Sequence, residues 1–250
     1  MLLRPLNWIL LVCGFALVSG CDRLPGKPRE KDRWKPPDEI KDFAELFDTN
    51  CRACHSNGQT LGASISMNNP VYLAVVPKEV MLKVTDQGVA GTAMPGFSHQ
   101  AGGLLTDTQV GILVDGIYAW AKGHEVPTDN LPPYSAPLGN ADHGKEVFTA
   151  ACAGCHGPEG TGLKDKGGSV VDPAYLSLVS DQYLRTVVIA GRSDLGMPGF
   201  REFVTGKPMT SDEISDVVAW LASHRQGPAP GQSAQTVDAN AGTQTSTSNQ

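Results

Sequence analysis

The chain of 250 residues is poor in aromatic side chains, 6% of the total, and it lacks an excess of basic charge. Lys and Arg number 20 against 26 Asp and Glu, a formal net charge of −6, so no nucleic-acid footprint is present. Its N-terminal apolar run, about Trp8 to Val18, is too short to span a bilayer, which needs about 20 residues. No stretch alternates apolar and polar residues convincingly, so strands are not expected and the chain should be mainly α. What it does have is 28 Gly, 18 Pro and six Cys, at 13, 21, 51, 54, 152 and 155. Gly and Pro at this level suit long irregular connections without reaching the composition of a disordered chain.

The first 20 residues place one Arg, Arg4, before the apolar run, the layout of a secretory signal peptide. A short uncleaved anchor helix is the competing reading. Val18-Ser19-Gly20-Cys21 resembles the lipobox of bacterial lipoproteins, in which the Cys is acylated and becomes the first residue of the mature chain. That resemblance implies an exported, membrane-anchored lipoprotein facing the periplasm or cell exterior. Several acyl chains at Cys21 would anchor firmly where one would not. Removal of residues 1–20 leaves 19 basic against 26 acidic residues, a net charge of −7. Residues 21–38 mix charges with Pro and Gly and cannot build a core, so they read as a tether.

The remaining chain carries one unit twice. Phe43-Ala-Glu-Leu-Phe47 precedes Cys51-Arg-Ala-Cys54-His55, and Gly144-Lys-Glu-Val-Phe148 precedes Cys152-Ala-Gly-Cys155-His156. Asn69-Pro70-Val-Tyr72-Leu73 matches Asp172-Pro173-Ala-Tyr175-Leu176, and Met94-Pro95-Gly96-Phe97 matches Met197-Pro198-Gly199-Phe200. Two domains, 39–125 and 140–226, are expected, with a Pro-rich linker at 126–139 and a polar, disordered tail at 227–250.

Cys-x-x-Cys-His is the attachment signature of a c-type haem. Two thiols three residues apart can both reach the vinyl groups of one porphyrin, and the adjacent His falls under the iron as an axial ligand. Chance is a poor explanation, since about 0.003 such motifs are expected in this composition. Structural zinc would place its Cys pairs about 15–20 residues apart, and a thioredoxin-type site would follow a strand. Four cysteines, Cys51, Cys54, Cys152 and Cys155, are therefore assigned to two covalent haems, with His55 and His156 on the irons.

Met94 and Met197 follow their His by 39 and 41 residues, each in a Met-Pro-Gly-Phe turn. A thioether is a soft neutral ligand that raises the reduction potential, and the following Pro holds the Met extended. These two are the expected sixth ligands. Met67, Met81 and Met209 read as core fillers. His99 is the rival ligand in the first unit and has no counterpart in the second. His124, His143 and His224 fall at helix ends and read as surface residues.

Helical periodicity precedes both motifs: Ile40, Phe43, Ala44 and Phe47 form one stripe, started by Pro37 or Asp38. Asn140 or Asp142 would start its counterpart. Thr106 with Gln109, and Thr210 with Glu213, read as capping boxes opening a last helix in each unit. Short helices are expected around 80–84 and 182–189. Units this small bury little surface alone, and covalent haem would supply the missing apolar bulk.

On these residues each unit resembles a class I cytochrome c domain, and the whole, over roughly 39 to 225, is similar to bacterial two-haem cytochromes c. The resemblance implies first and last helices crossing over each haem, with one haem edge exposed. It also implies a Gly-x-x-x-aromatic pattern in the first helix, where the Gly allows the last helix to approach. Gly144 and Phe148 keep it, with Trp220 as partner. Phe43 replaces the Gly in the first unit, so that crossing should be looser, or Tyr118 and Trp120 must adjust.

With both axial positions filled, catalysis at iron is disfavoured, so no catalytic residue is assigned. The expected role is one-electron transfer, from a quinol-oxidising complex or dehydrogenase towards a terminal oxidase, with Cys21 holding the carrier at the membrane. Two other readings stay open: a two-haem peroxidase or sulfur-compound dehydrogenase, and the cytochrome subunit of a larger respiratory complex.

Overall fold

A computed structural model of the chain describes residues 29, 32–57, 61–203 and 207–231. Residues 1–28, including the expected signal segment and Cys21, and most of the expected tail, 232–250, lie outside the described residues. The chain divides at Glu39 into two units. In the first, a 3-10 turn covers Pro37–Glu39, and Arg29 and Asp32 pair on the surface. The second, Ile40 onward, holds both repeats. Among the described residues there is no strand, only isolated bridges, and no helix is long and apolar enough to cross a membrane.

The first repeat builds α1 (Phe43–Asn50), α2 (Pro70–Val75), α3 (Lys78–Gln87) and α4 (Asp107–Ala119). The second builds α5 (Ala141–Ala151), the single turn α6 (Ala153–His156), α7 (Pro173–Leu178), α8 (Asp181–Ala190) and α9 (Ser211–Ser223). The starts follow side-chain capping chemistry. Asn140 opens α5 by accepting from the His143 amide. Both capping boxes close, at Thr106 with Gln109 and at Thr210 with Glu213. One start differs from expectation: Pro37 and Asp38 make only the 3-10 turn, and α1 begins four residues later. There Asp42 accepts from the Glu45 amide and serves as the cap.

Helices α2 and α7 have no periodic stripe to announce them. Each is set by a capping Asn69 or Asp172 followed by Pro at the first helical position, where the absent N–H costs nothing.

Two cores form. One gathers Leu46, Phe47, Leu73, Met81, Leu113 and Val114 from the first repeat, and the other Phe148, Leu176, Leu184, Ile189, Phe200 and Ile214 from the second. Each fully buried aliphatic or aromatic side chain contributes about 1.5–3 kcal/mol. Each core also takes a residue from the other repeat: Val75 joins the second and Ala190 the first. Backbone and side-chain bonds follow the same junction, with the Asn69 amide donating to the Ala190 carbonyl at 3.1 Å and Ala93 N–H to Leu178 at 3.3 Å.

In the second repeat α5 crosses α9 closely, because a Cβ at Gly144 would overlap the Asp216 carbonyl; Phe148 and Trp220 then pack with ring centroids 4.3 Å apart. The crossing of α1 with α4 is less extensive. Phe43 stands where the glycine would be, and the space it needs is provided by Gly116 on α4. Trp120 adjusts as expected, meeting Phe43 and Phe47 edge-on at 5.1 and 5.0 Å. Tyr118 instead donates its hydroxyl to the Val76 carbonyl.

Candidate functional site

Each Cys-x-x-Cys-His motif is the continuation of its first helix. Cys51 and Cys152 close α1 and α5 by donating their N–H to Phe47 and Phe148 at 2.9 and 2.8 Å. One more turn brings His55 N–H to the Cys51 carbonyl at 2.9 Å and His156 N–H to Cys152 at 3.0 Å. The first thiol of each pair therefore sits against the core, while Cys54 and Cys155 are exposed. None of the four is in a disulfide. Burial, reinforced by the neighbouring Cys, pushes the Cys51 and Cys152 thiols up to about 12. A thiol-exchange centre needs the opposite, a lowered pKa on an accessible sulfur.

The two histidines are oriented alike. His55 Nδ1 lies 3.1 Å from the Ile65 carbonyl, and His156 Nδ1 lies 2.8 Å from the Gly168 carbonyl. A carbonyl only accepts, so in each ring Nδ1 carries the proton and Nε2 keeps its lone pair for a metal. Burial also holds His55 below the ordinary imidazole value, and the Arg192 charge adds to this. Both effects favour the neutral form that ligates.

The methionine turns are held by the ends of α3 and α8. Gly88 and Gly191 close these helices at φ 71° and 73°, and a Cβ on either would come within 2.5–2.6 Å of the Pro95 or Pro198 carbonyl carbon. The turns are then pinned in parallel fashion: Val89 N–H bonds to Met94 O at 3.0 Å and Arg192 N–H to Met197 O at 2.9 Å. Phe97 N–H bonds to Thr85 and Phe200 N–H to Ile189, both at 3.1 Å. Within each repeat, motif and turn meet on a shared core: Cys51 and Phe97 pack on the first, Cys152 and Phe200 belong to the second. Met94 and Met197 are half-buried, whereas Met67, Met81 and Met209 are core residues. His99 is exposed, and its Nε2 faces the Leu104 carbonyl at 3.1 Å. His224 is not a plain surface residue, since its ring meets Trp220 edge-on at 4.7 Å.

Paired unbridged thiols, a His aimed by its Nδ1 proton, and a half-buried thioether fit a covalent c-type haem in each repeat. Cys51, Cys54, His55 and Met94 would hold one, and Cys152, Cys155, His156 and Met197 the other. The Ile65 and Gly168 carbonyls, and the glycines behind the methionine turns, escape motif reading. A recurring Gly about six residues before each Met was the available signal.

The sequence matches the model of the family Cytochrome C oxidase, cbb3-type, subunit III twice, over residues 38–115 and 139–221. Among solved structures, the reducing HAO-like protein complex of Kuenenia stuttgartiensis is similar to 78% of this chain and 100% of that chain. Its identity is 15% and its TM-score 0.44, too remote to bear on activity or architecture. No curated protein matches significantly. The two matched regions cover well over half of the sequence: the chain belongs to the Cytochrome C oxidase, cbb3-type, subunit III family, as two tandem cytochrome c domains, which imply covalently bound haem c and electron transfer.

Proposed function

We propose that the chain is a two-haem electron carrier of the respiratory membrane, taking single electrons from a quinol-oxidising complex or dehydrogenase and passing them towards a terminal oxidase. The observation that carries this reading is the repeated fixing of His55 and His156 through Nδ1. It leaves the same nitrogen of each ring available to an iron, for which Met94 and Met197 would supply the second ligand. A bound haem supplies a one-electron ferric/ferrous couple at each site. The protein's own part is to fix the ligands and exclude water, so that little reorganises when the charge changes. Lipidation of Cys21 would keep the carrier beside its partners and raise their effective concentration.

The family match favours a second form of the same reading, in which the chain is the cytochrome subunit of an oxidase complex. Solubilising membranes that contain the tagged full chain separates the two. A free carrier elutes alone with its haems, whereas a subunit co-elutes with oxidase polypeptides. Failure both to accept electrons from a quinol-oxidising or dehydrogenase fraction and to pass them to an oxidase fraction would overturn both forms.

A further inference from the structure

Directly after the glycine that closes α3 the first repeat has Val89, and directly after the one that closes α8 the second has Arg192. Both donate N–H to the carbonyl of their methionine, so the turn needs no arginine here. Arg192 is nevertheless buried, 6% exposed, and its guanidinium leaves its own repeat. Nη2 donates to the Gly62 carbonyl at 2.7 Å and Nη1 to the Ala63 carbonyl at 3.4 Å. Nε and Nη2 also clasp the Asp194 carboxylate at 2.9 and 2.7 Å.

The segment it reaches belongs to the first haem site. Ser64 N–H bonds to the Cys54 carbonyl at 2.9 Å, and the next residue, Ile65, accepts from His55 Nδ1. At the other end, Arg192 exchanges both backbone bonds with Met197. One side chain thus joins the histidine loop of the first site to the methionine turn of the second. Stability alone does not account for it, because the desolvation of a buried ion pair largely cancels its attraction. In so dry a setting, however, its two charges act strongly on neighbouring sites.

Resting on the haem reading above, we infer that Arg192 is a positioning residue shared by both haem sites, and that its ion pair with Asp194 sets the two reduction potentials together. Asp194 is three residues before Met197, and the guanidinium lies against the loop that orients His55. A positive charge here favours the reduced state of each iron, and a negative charge opposes it.

The test is a redox titration of the holo-protein, resolved by the spectrum of each haem, for wild type, Arg192→Gln, Asp194→Asn and the double variant. Arg192→Gln leaves the carboxylate uncompensated and lowers both potentials. Asp194→Asn leaves the guanidinium uncompensated, keeps its bonds to Gly62 and Ala63, and raises both. The double variant returns both towards wild type. Asp194→Asn remains informative should Arg192→Gln fail to fold. Potentials that stay put while thermal stability falls, or a shift at only one site, overturn the inference. A wild type without covalent haem overturns the reading beneath it, and this inference with it.

Discussion

Phe43 and Gly116 in the first repeat exchange the roles that Gly144 and Trp220 hold in the second. Aligning the last helices through their capping boxes puts Gly116 opposite Trp220, and aligning the first helices puts Phe43 opposite Gly144. Each crossing therefore pairs one glycine with one bulky ring, from opposite helices. The swap preserves volume at the contact, which is what a close-packed core demands.

Gly144→Ala should be the more damaging substitution. Its Cβ would meet the Asp216 backbone carbonyl, which cannot turn away, so a loss of about 2–3 kcal/mol is expected from overpacking. Gly116→Ala meets the Phe43 side chain first, which can shift where a backbone carbonyl cannot, and should cost less, with Phe43→Ala relieving it. Denaturant unfolding of the holo-protein measures both, and equal losses would contradict the exchange.

The junction of α5 with α9 should respond to pH. His143 Nδ1 lies 2.7 Å from Asp216, whose other oxygen accepts the Asn140 N–H at 2.6 Å. The bond to Asp216 raises the His143 pKa above its ordinary value of 6.5. The pairing therefore stabilises the folded chain fully below pH 6.5 and is lost as pH rises through the raised value. Wild type should lose more stability than His143→Gln between pH 6 and pH 8.5. Parallel curves would show that the pair contributes nothing.

Replacing either thioether proposed as an axial ligand should change one haem and leave the other. Met94→Ala is expected to lower the potential of the first site and Met197→Ala that of the second, with a high-spin band appearing in each case. An unchanged potential and spectrum for Met94→Ala would return His99 as the ligand.

Most of this was legible because the repeat states each feature twice. The Cys-x-x-Cys-His motifs, the methionine turns and both capping boxes are local patterns that the sequence alone carries, whereas Trp220 as the partner of Gly144 came from the family resemblance. The start of α1 was misplaced because the apolar stripe runs back to Ile40, while Asp42 closes the chain into a cap two residues later. Helices α2 and α7 are too short for periodicity, and only the Asn-Pro and Asp-Pro pairs mark them. Arg192 was invisible for another reason. Its partners, Gly62 and Ala63, are about 130 residues away and offer backbone oxygens, which carry no sequence signal.

Cys21→Ser should release the protein from membranes into the soluble exported fraction without altering its haem spectrum. Retention at the membrane would place the anchor elsewhere in the chain or in a partner subunit.

Mass spectrometry of peptides from the purified holo-protein bears most directly on the central claim. The peptide holding Cys51 and Cys54 and the one holding Cys152 and Cys155 should each carry the mass of one haem, bound through both sulfurs. Either pair recovered as free thiols, as a disulfide or without added haem would contradict the account.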